Sequence, residues 1–169
     1  MLDVVIPIDN LCITNVLEDD IKEIGHWIKL QNYNKNDVKF IEFNEKELYD
    51  RYLECYLSEC EFFLKIKNCN KLIGVLRGKA EFKRSNEITF LFMLLQNNIA
   101  DETACSIISA LTDYFYNEYS INNFYSYVVD GVNNYINSWE KNNFFVINRY
   151  KQYYNFNNRA YDMLLLQKK

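Results

Sequence analysis

The stretch that decides the fold is Glu87–Val129, EITFLFMLLQNNIADETACSIISALTDYFYNEYSINNFYSYVV. It opens with EITFLFMLL, a run apolar on both faces, which marks a central strand covered on each side. From Asp101 to Ser120 the residues Ala104, Ile107, Ile108, Leu111 and Phe115 recur on one helical face. Asp101 and Glu102 lie at the positive end of that helix's dipole and read as capping, dipole-complementing acids. NNFYSYVV then gives a second two-faced apolar strand. Strand, helix and strand in this order predict a right-handed parallel crossover.

Upstream, LCITNVL (Leu11 to Leu17) reads as a strand, and EDDIKEIGHWIKL follows with Ile21, Ile24 and Ile28 at helical spacing. A second helix fits NEKELYDRYLECYLSEC, where Leu48, Tyr49, Tyr52, Leu53, Tyr56 and Leu57 recur every three or four residues. EFFLKIKN and KLIGVLRGKAEF flank the turn residues 68–70, and KRSN joins the second run to the central strand, so these neighbours are expected antiparallel. Downstream, VNNYINSWEKNN places Val132, Tyr135, Ile136 and Trp139 on one helical face. The strands FFVINRYKQYYNF and RAYDMLLLQ close the chain, with a tight turn at Asn157 and Asn158. The order predicts one domain over residues 1–169. Its class is α/β (α+β), with a mixed, mostly antiparallel sheet of about seven strands and about four helices on both faces.

Composition narrows the function. The chain has 169 residues, 49% of them apolar, and a net charge of -4, which excludes a disordered tail and a strongly basic nucleic-acid binder. No run long and apolar enough to span a membrane occurs, and MLDVVIPIDN lacks the basic start of a signal peptide. A soluble, cytoplasmic protein is expected, with no membrane or nucleic-acid partner. Five cysteines without a CxxC pair argue against a disulfide framework and a zinc site; they read as reduced, mostly buried thiols. The single His26, beside Trp27 on a helix, reads as an ordinary helix residue, and no metal site is expected.

The order of elements resembles the GNAT superfamily of acetyl-CoA-dependent N-acetyltransferases. The closing portion is similar to the ribosomal-protein N-acetyltransferase (RimJ/RimL-like) type, in which an aromatic-Glu-Lys-x-Gly-Phe turn ends the last helix and an acid sits in the final strand. Here that turn is Trp139, Glu140, Lys141, Asn142, Asn143 and Phe144, and the acid is Asp162. The resemblance implies acetyl-CoA as co-substrate and an amine acceptor, either a protein N-terminus or a small-molecule amine. It also implies that backbone groups near Phe92, Met93 and Leu94 contact the pantetheine. The amides of Ala100, Asp101, Glu102, Thr103 and Ala104 would then face the pyrophosphate, as helix N-termini do with anions.

This chain departs from the family pattern at several positions. In the loop [Arg/Gln]-x-x-Gly-x-[Gly/Ala], registered at residues 99–104, Ile99 stands at the basic or amide position and Glu102 at the middle glycine; only Ala104 conforms. A carboxylate within about 5 Å of a phosphate opposes binding by on the order of 3 kcal/mol at an effective dielectric near 20, unless it turns to solvent. Trp139 fills the position of the usual proton-donating tyrosine, and an indole N–H is no acid near neutral pH. Tyr135 or Tyr127 is the substitute. The family's helix asparagine falls at Asn133 or Asn134. For the base, Glu87 is the first choice and Asp130 the second. Cys105, just inside the helix, is expected to be buried against the sheet. Tyr150, Tyr153, Tyr154 and Phe156 are candidates for a substrate wall or a homodimer surface. The competing expectation is a catalytically inactive member of the fold that binds another ligand or a protein.

Overall fold

In the computed structural model, which describes residues 1–33, 45–82, 84–131, 136–156 and 159–169, eight strands form one sheet. The elements are β1 (Val5–Ile8), β2 (Leu11–Asn15), α1 (Asp20–Tyr33), α2 (Glu45–Leu57), β3 (Glu61–Asn68), β4 (Lys71–Glu81), β5 (Glu87–Leu95), α3 (Asp101–Tyr119), β6 (Asn123–Val129), α4 (Ile136–Lys141), β7 (Phe144–Phe156) and β8 (Arg159–Lys168). The strand order is β1-β2-β3-β4-β5-β6-β8-β7. The expected strands and four helices are found, and β5 and β6 are parallel as the crossover reading requires. The strand β1 is additional. It is four residues long and carries Pro7, so its pattern is too short to read, and Pro7 is tolerated because β1 is an edge strand. The turn expected at Asn157 and Asn158 lies outside the described residues.

The chain divides into two compact units, Met1–Lys79 with Met93–Asn97, and Ala80–Phe92 with Asn98–Lys169. In the first, Ile21, Ile24, Trp27 and Ile28 of α1 and Leu48, Tyr52 and Cys55 of α2 are buried. Arg77, 11% exposed, donates to Glu54 at 3.0 Å and to Glu61 at 2.7 Å, pinning α2 to β3 and β4. Cys55 lies against this pair with its thiol 3.6 Å from Glu61, and burial pushes its pKa up to about 11. Gly74 is needed for packing. A Cβ there would stand 2.6 Å from Leu95 Cδ2 and 3.0 Å from the Leu94 carbonyl oxygen.

In the second unit the predicted face of α3, Ala104, Ile107, Ile108, Leu111 and Phe115, is fully buried. Phe90 of β5 meets Phe115 and Phe124 at 6.5 Å and Trp139 of α4 at 5.6 Å. Each large side chain buried here contributes on the order of 1.5–3 kcal/mol. The cysteines are mostly exposed or half-buried, not mostly buried as expected. Cys55 alone is buried, Cys105 is half-buried, and Cys12, Cys60 and Cys69 are exposed. Their positions explain it: Cys12 points outward from β2, Cys60 lies in the bend before β3, and Cys69 in the β3–β4 turn.

Candidate functional site

The second unit presents its backbone donors at the start of α3. The N-cap is Ala100, in extended conformation at φ -66 and ψ 141, and no side chain caps the helix. An α-helix leaves its first N–H groups without intrahelical partners, here those of Ala100, Asp101, Glu102 and Thr103. Asp101 and Glu102 therefore do not cap. An alanine at the N-cap has no acceptor to offer, and both acids are exposed. Asp101 instead sits 3.7 Å from Lys141, a pair about half exposed on each side and so weak. Ala104 drops out of the donor set, because its N–H is committed to the Ala100 carbonyl at 3.1 Å.

Two asparagines near the start of α3 and the end of α4 take the left-handed backbone that glycine usually supplies. Asn98, three residues before α3, has φ 64, and Asn143, at the glycine position of the Trp139–Phe144 turn, also has φ 64. Asparagine is one of the few non-glycine residues that enters the left-handed region readily. Beside it, the Asn142 side-chain amide donates to the Ser138 carbonyl at 2.8 Å and to the Cys105 carbonyl at 3.1 Å, fastening α4 to the first turns of α3. Upstream, in the first unit, Asn97 is tied down by its backbone N–H, which donates to Gln31 Oε1 at 3.0 Å.

Trp139 is 2% exposed and lies edge-on to Phe144 at 4.7 Å, so it packs the core. Cys105 is half-buried with its thiol 3.9 Å from the Ser138 carbonyl. Tyr135, Asn133 and Asn134 lie outside the described residues. Phe92 and Leu94 are half-buried in β5, and Met93 is buried. Glu87 stands half-buried at the head of β5, in register with Asn123. The parallel ladder runs from there to Phe90↔Ser126, while β6 continues beside β8 to Val129↔Met163. Asp130 is held by Arg149, which also donates to Asp162 at 3.0 Å. This clasp was missed as a unit, although Asp162 was visible as the acid of the final strand. Among the described residues no group of three His, Cys, Asp or Glu side chains is arranged to hold a metal ion.

The family model for the acetyltransferase (GNAT) domain matches residues 13–165. The chain belongs to this family. No curated protein sequence matches it. Solved GNAT structures are similar in fold. A Salmonella typhimurium acetyltransferase that modifies the N-terminal serine of ribosomal protein L7/L12 superposes with a TM-score of 0.80 at 15% identity, covering 98% of each chain. The Vibrio cholerae spermidine N-acetyltransferase, solved with CoA and spermine, gives 0.77 at 16% identity over 95% of each chain. The Vibrio fischeri ribosomal-protein-S5-alanine acetyltransferase gives 0.76 at 13% identity, over 98% of this chain and 96% of that one. At such identities the GNAT fold is what is shared. Among the described residues no helix is long and apolar enough to cross a membrane.

Proposed function

We propose that this GNAT chain is an acetyl-CoA-dependent N-acetyltransferase, acting as one catalytic domain over residues 1–169, that passes acetyl directly to a primary amine. The observation that carries the reading is the uncapped start of α3, where the N–H groups of residues 100–103 precede the first helical bond. Such a terminus accommodates a diphosphate whatever its side chains. The exposure of Asp101 and Glu102 supports it, since outward carboxylates are screened by water. The pantetheine arm is assigned to the backbone at Phe92, Met93 and Leu94.

In this reading Glu87 takes the proton from the acceptor ammonium, directly or through water. The amine lone pair attacks the thioester carbonyl carbon, the C–S bond breaks to give the coenzyme thiolate, and the acylated nitrogen sheds its remaining extra proton to water, leaving a neutral amide. The thiolate then takes a proton from Tyr135 or Tyr127. Tyr127 holds its proton firmly, since burial first, then Tyr150 and Tyr153, raise its pKa. Asn133 is assigned to the same reacting region. Calorimetric titration with acetyl-CoA and with CoA tests the proposal: both are expected to bind and to raise Tm. Neither heat nor thermal protection at millimolar ligand would leave a GNAT-fold protein without this chemistry, the alternative that Glu102 and Trp139 favour.

A further inference from the structure

The acetyl-transfer scheme gives no part to Tyr150, Tyr153 and Tyr154 of the second unit, which gather beside Tyr127. The rings of Tyr127 and Tyr150 have centroids 6.5 Å apart, Tyr150 and Tyr153 6.2 Å, and Tyr153 and Tyr154 4.9 Å. A regular strand would send Tyr153 and Tyr154 to opposite faces. Here β7 bulges between Tyr150↔Met163 and Tyr154↔Tyr161, so that residues 151–153 stand against Asp162 alone. Gln152 adopts φ 51 within the bulge, and its N–H donates to Asp162 at 2.9 Å. Bulges of this kind re-aim side chains, and this one gathers Tyr150, Tyr153 and Tyr154 beside Tyr127.

The face they occupy follows from register. Phe90 and Phe124 point toward Phe115 of α3, so Glu87, Thr89, Tyr125 and Tyr127 point to the other face. The rings are accessible there, Tyr153 58% exposed and Tyr150 36%. Nearby charge is balanced. Arg149 is paired with Asp130 and Asp162, and Lys151 acts on Asp162, giving two cations against two carboxylates.

We infer that Tyr127, Tyr150, Tyr153 and Tyr154 form an aromatic recognition surface for an alkylammonium group, held by the negative faces of the rings. It shares its sheet face with Glu87, where an amine must lose its proton. Assigning this ammonium to the acetyl acceptor rests on the acetyl-transfer reading; the binding itself does not. Acetylation neutralises a bound amine and removes the attraction, so product is held less tightly than substrate.

The test uses the full chain without coenzyme, titrated with choline, with 1,4-diaminobutane and with 3,3-dimethylbutan-1-ol, the neutral isostere of choline. Both cations are expected to bind more tightly than the isostere, and Tyr153→Leu to weaken them about fivefold while leaving acetyl-CoA affinity unchanged. Equal binding of the isostere, or no effect of Tyr153→Leu, overturns the inference. So does concentration-dependent self-association that Tyr153→Leu abolishes, which would make the patch an interface between copies. Cation binding without acetyl-CoA binding would sustain the surface and remove the acetyl-transfer reading; the reverse would do the opposite.

Discussion

Asp162 divides its carboxylate between the regular part of β7 and its bulge: Oδ2 accepts from Arg149 at 3.0 Å, and Oδ1 from the backbone N–H of Gln152 in the bulge at 2.9 Å. The Gln152 N–H first, then Arg149, lowers the Asp162 pKa from its ordinary 3.8. The unfolded chain therefore binds this proton at higher pH than the folded one. The clasp's stabilisation is complete above the ordinary value and disappears as pH falls through the lower folded value. Asp162→Asn is expected to lower Tm at neutral pH and to flatten the acid limb of a Tm-against-pH curve. If the bulge is what gathers the tyrosines, the same variant also weakens choline binding.

The start of α3 admits a clean probe, because proline is tolerated at a first helical position and Ala100 already has the extended backbone that a following proline requires. Asp101→Pro removes one N–H together with the carboxylate; Asp101→Asn removes the charge alone. Calorimetry should show Asp101→Asn binding CoA somewhat more tightly than the parent chain. Asp101→Pro should bind about tenfold or more weakly than Asp101→Asn, the value of a hydrogen bond to a charged group.

Thiol chemistry separates the cysteines. Cys55, with its pKa near 11, is expected to resist iodoacetamide in the native state and to react only on unfolding. Cys12, Cys60 and Cys69, exposed, should be modified first, as mass spectrometry of the digested protein would record. The folded thiol keeps its proton above pH 9, where the unfolded one loses it, so this group's contribution to stability declines as pH rises from 9 toward 11.

Asn143→Gly should leave Tm unchanged or raise it slightly, since glycine adopts φ 64 without strain. Asn143→Val should cost about 1–2 kcal/mol through its Cβ in the left-handed region. Asn142→Ala loses the bond from the end of α4 to the Cys105 carbonyl of α3 and the one back to the Ser138 carbonyl of α4 itself, and is expected to destabilise by about 1–3 kcal/mol, read by chemical denaturation.

Long elements were legible because burial imposes periodicity: the α3 face and the strands β5 and β6 could be read from their apolar spacing, although in β6 only alternate residues, Phe124, Ser126 and Val128, are buried and the expected second covered face is half-open. The four-residue β1 could not, since two buried or half-buried positions make no period. The candidate site was less legible for a different reason. Backbone N–H groups at a helix start have no residue code, so Glu102 read as an obstacle although its side chain turns to solvent. Likewise Arg149, Asp130 and Asp162 meet only through strand register and a bulge, neither of which single-residue chemistry announces.

The buried position of Trp139 has a practical outcome. The chain contains two tryptophans, and the other, Trp27, is buried in the first compact unit while Trp139 is buried in the second. Each half thus carries its own intrinsic fluorophore. Trp27→Phe and Trp139→Phe variants followed in denaturant would report the melting of one half at a time, and coincident transitions would mark a single cooperative body.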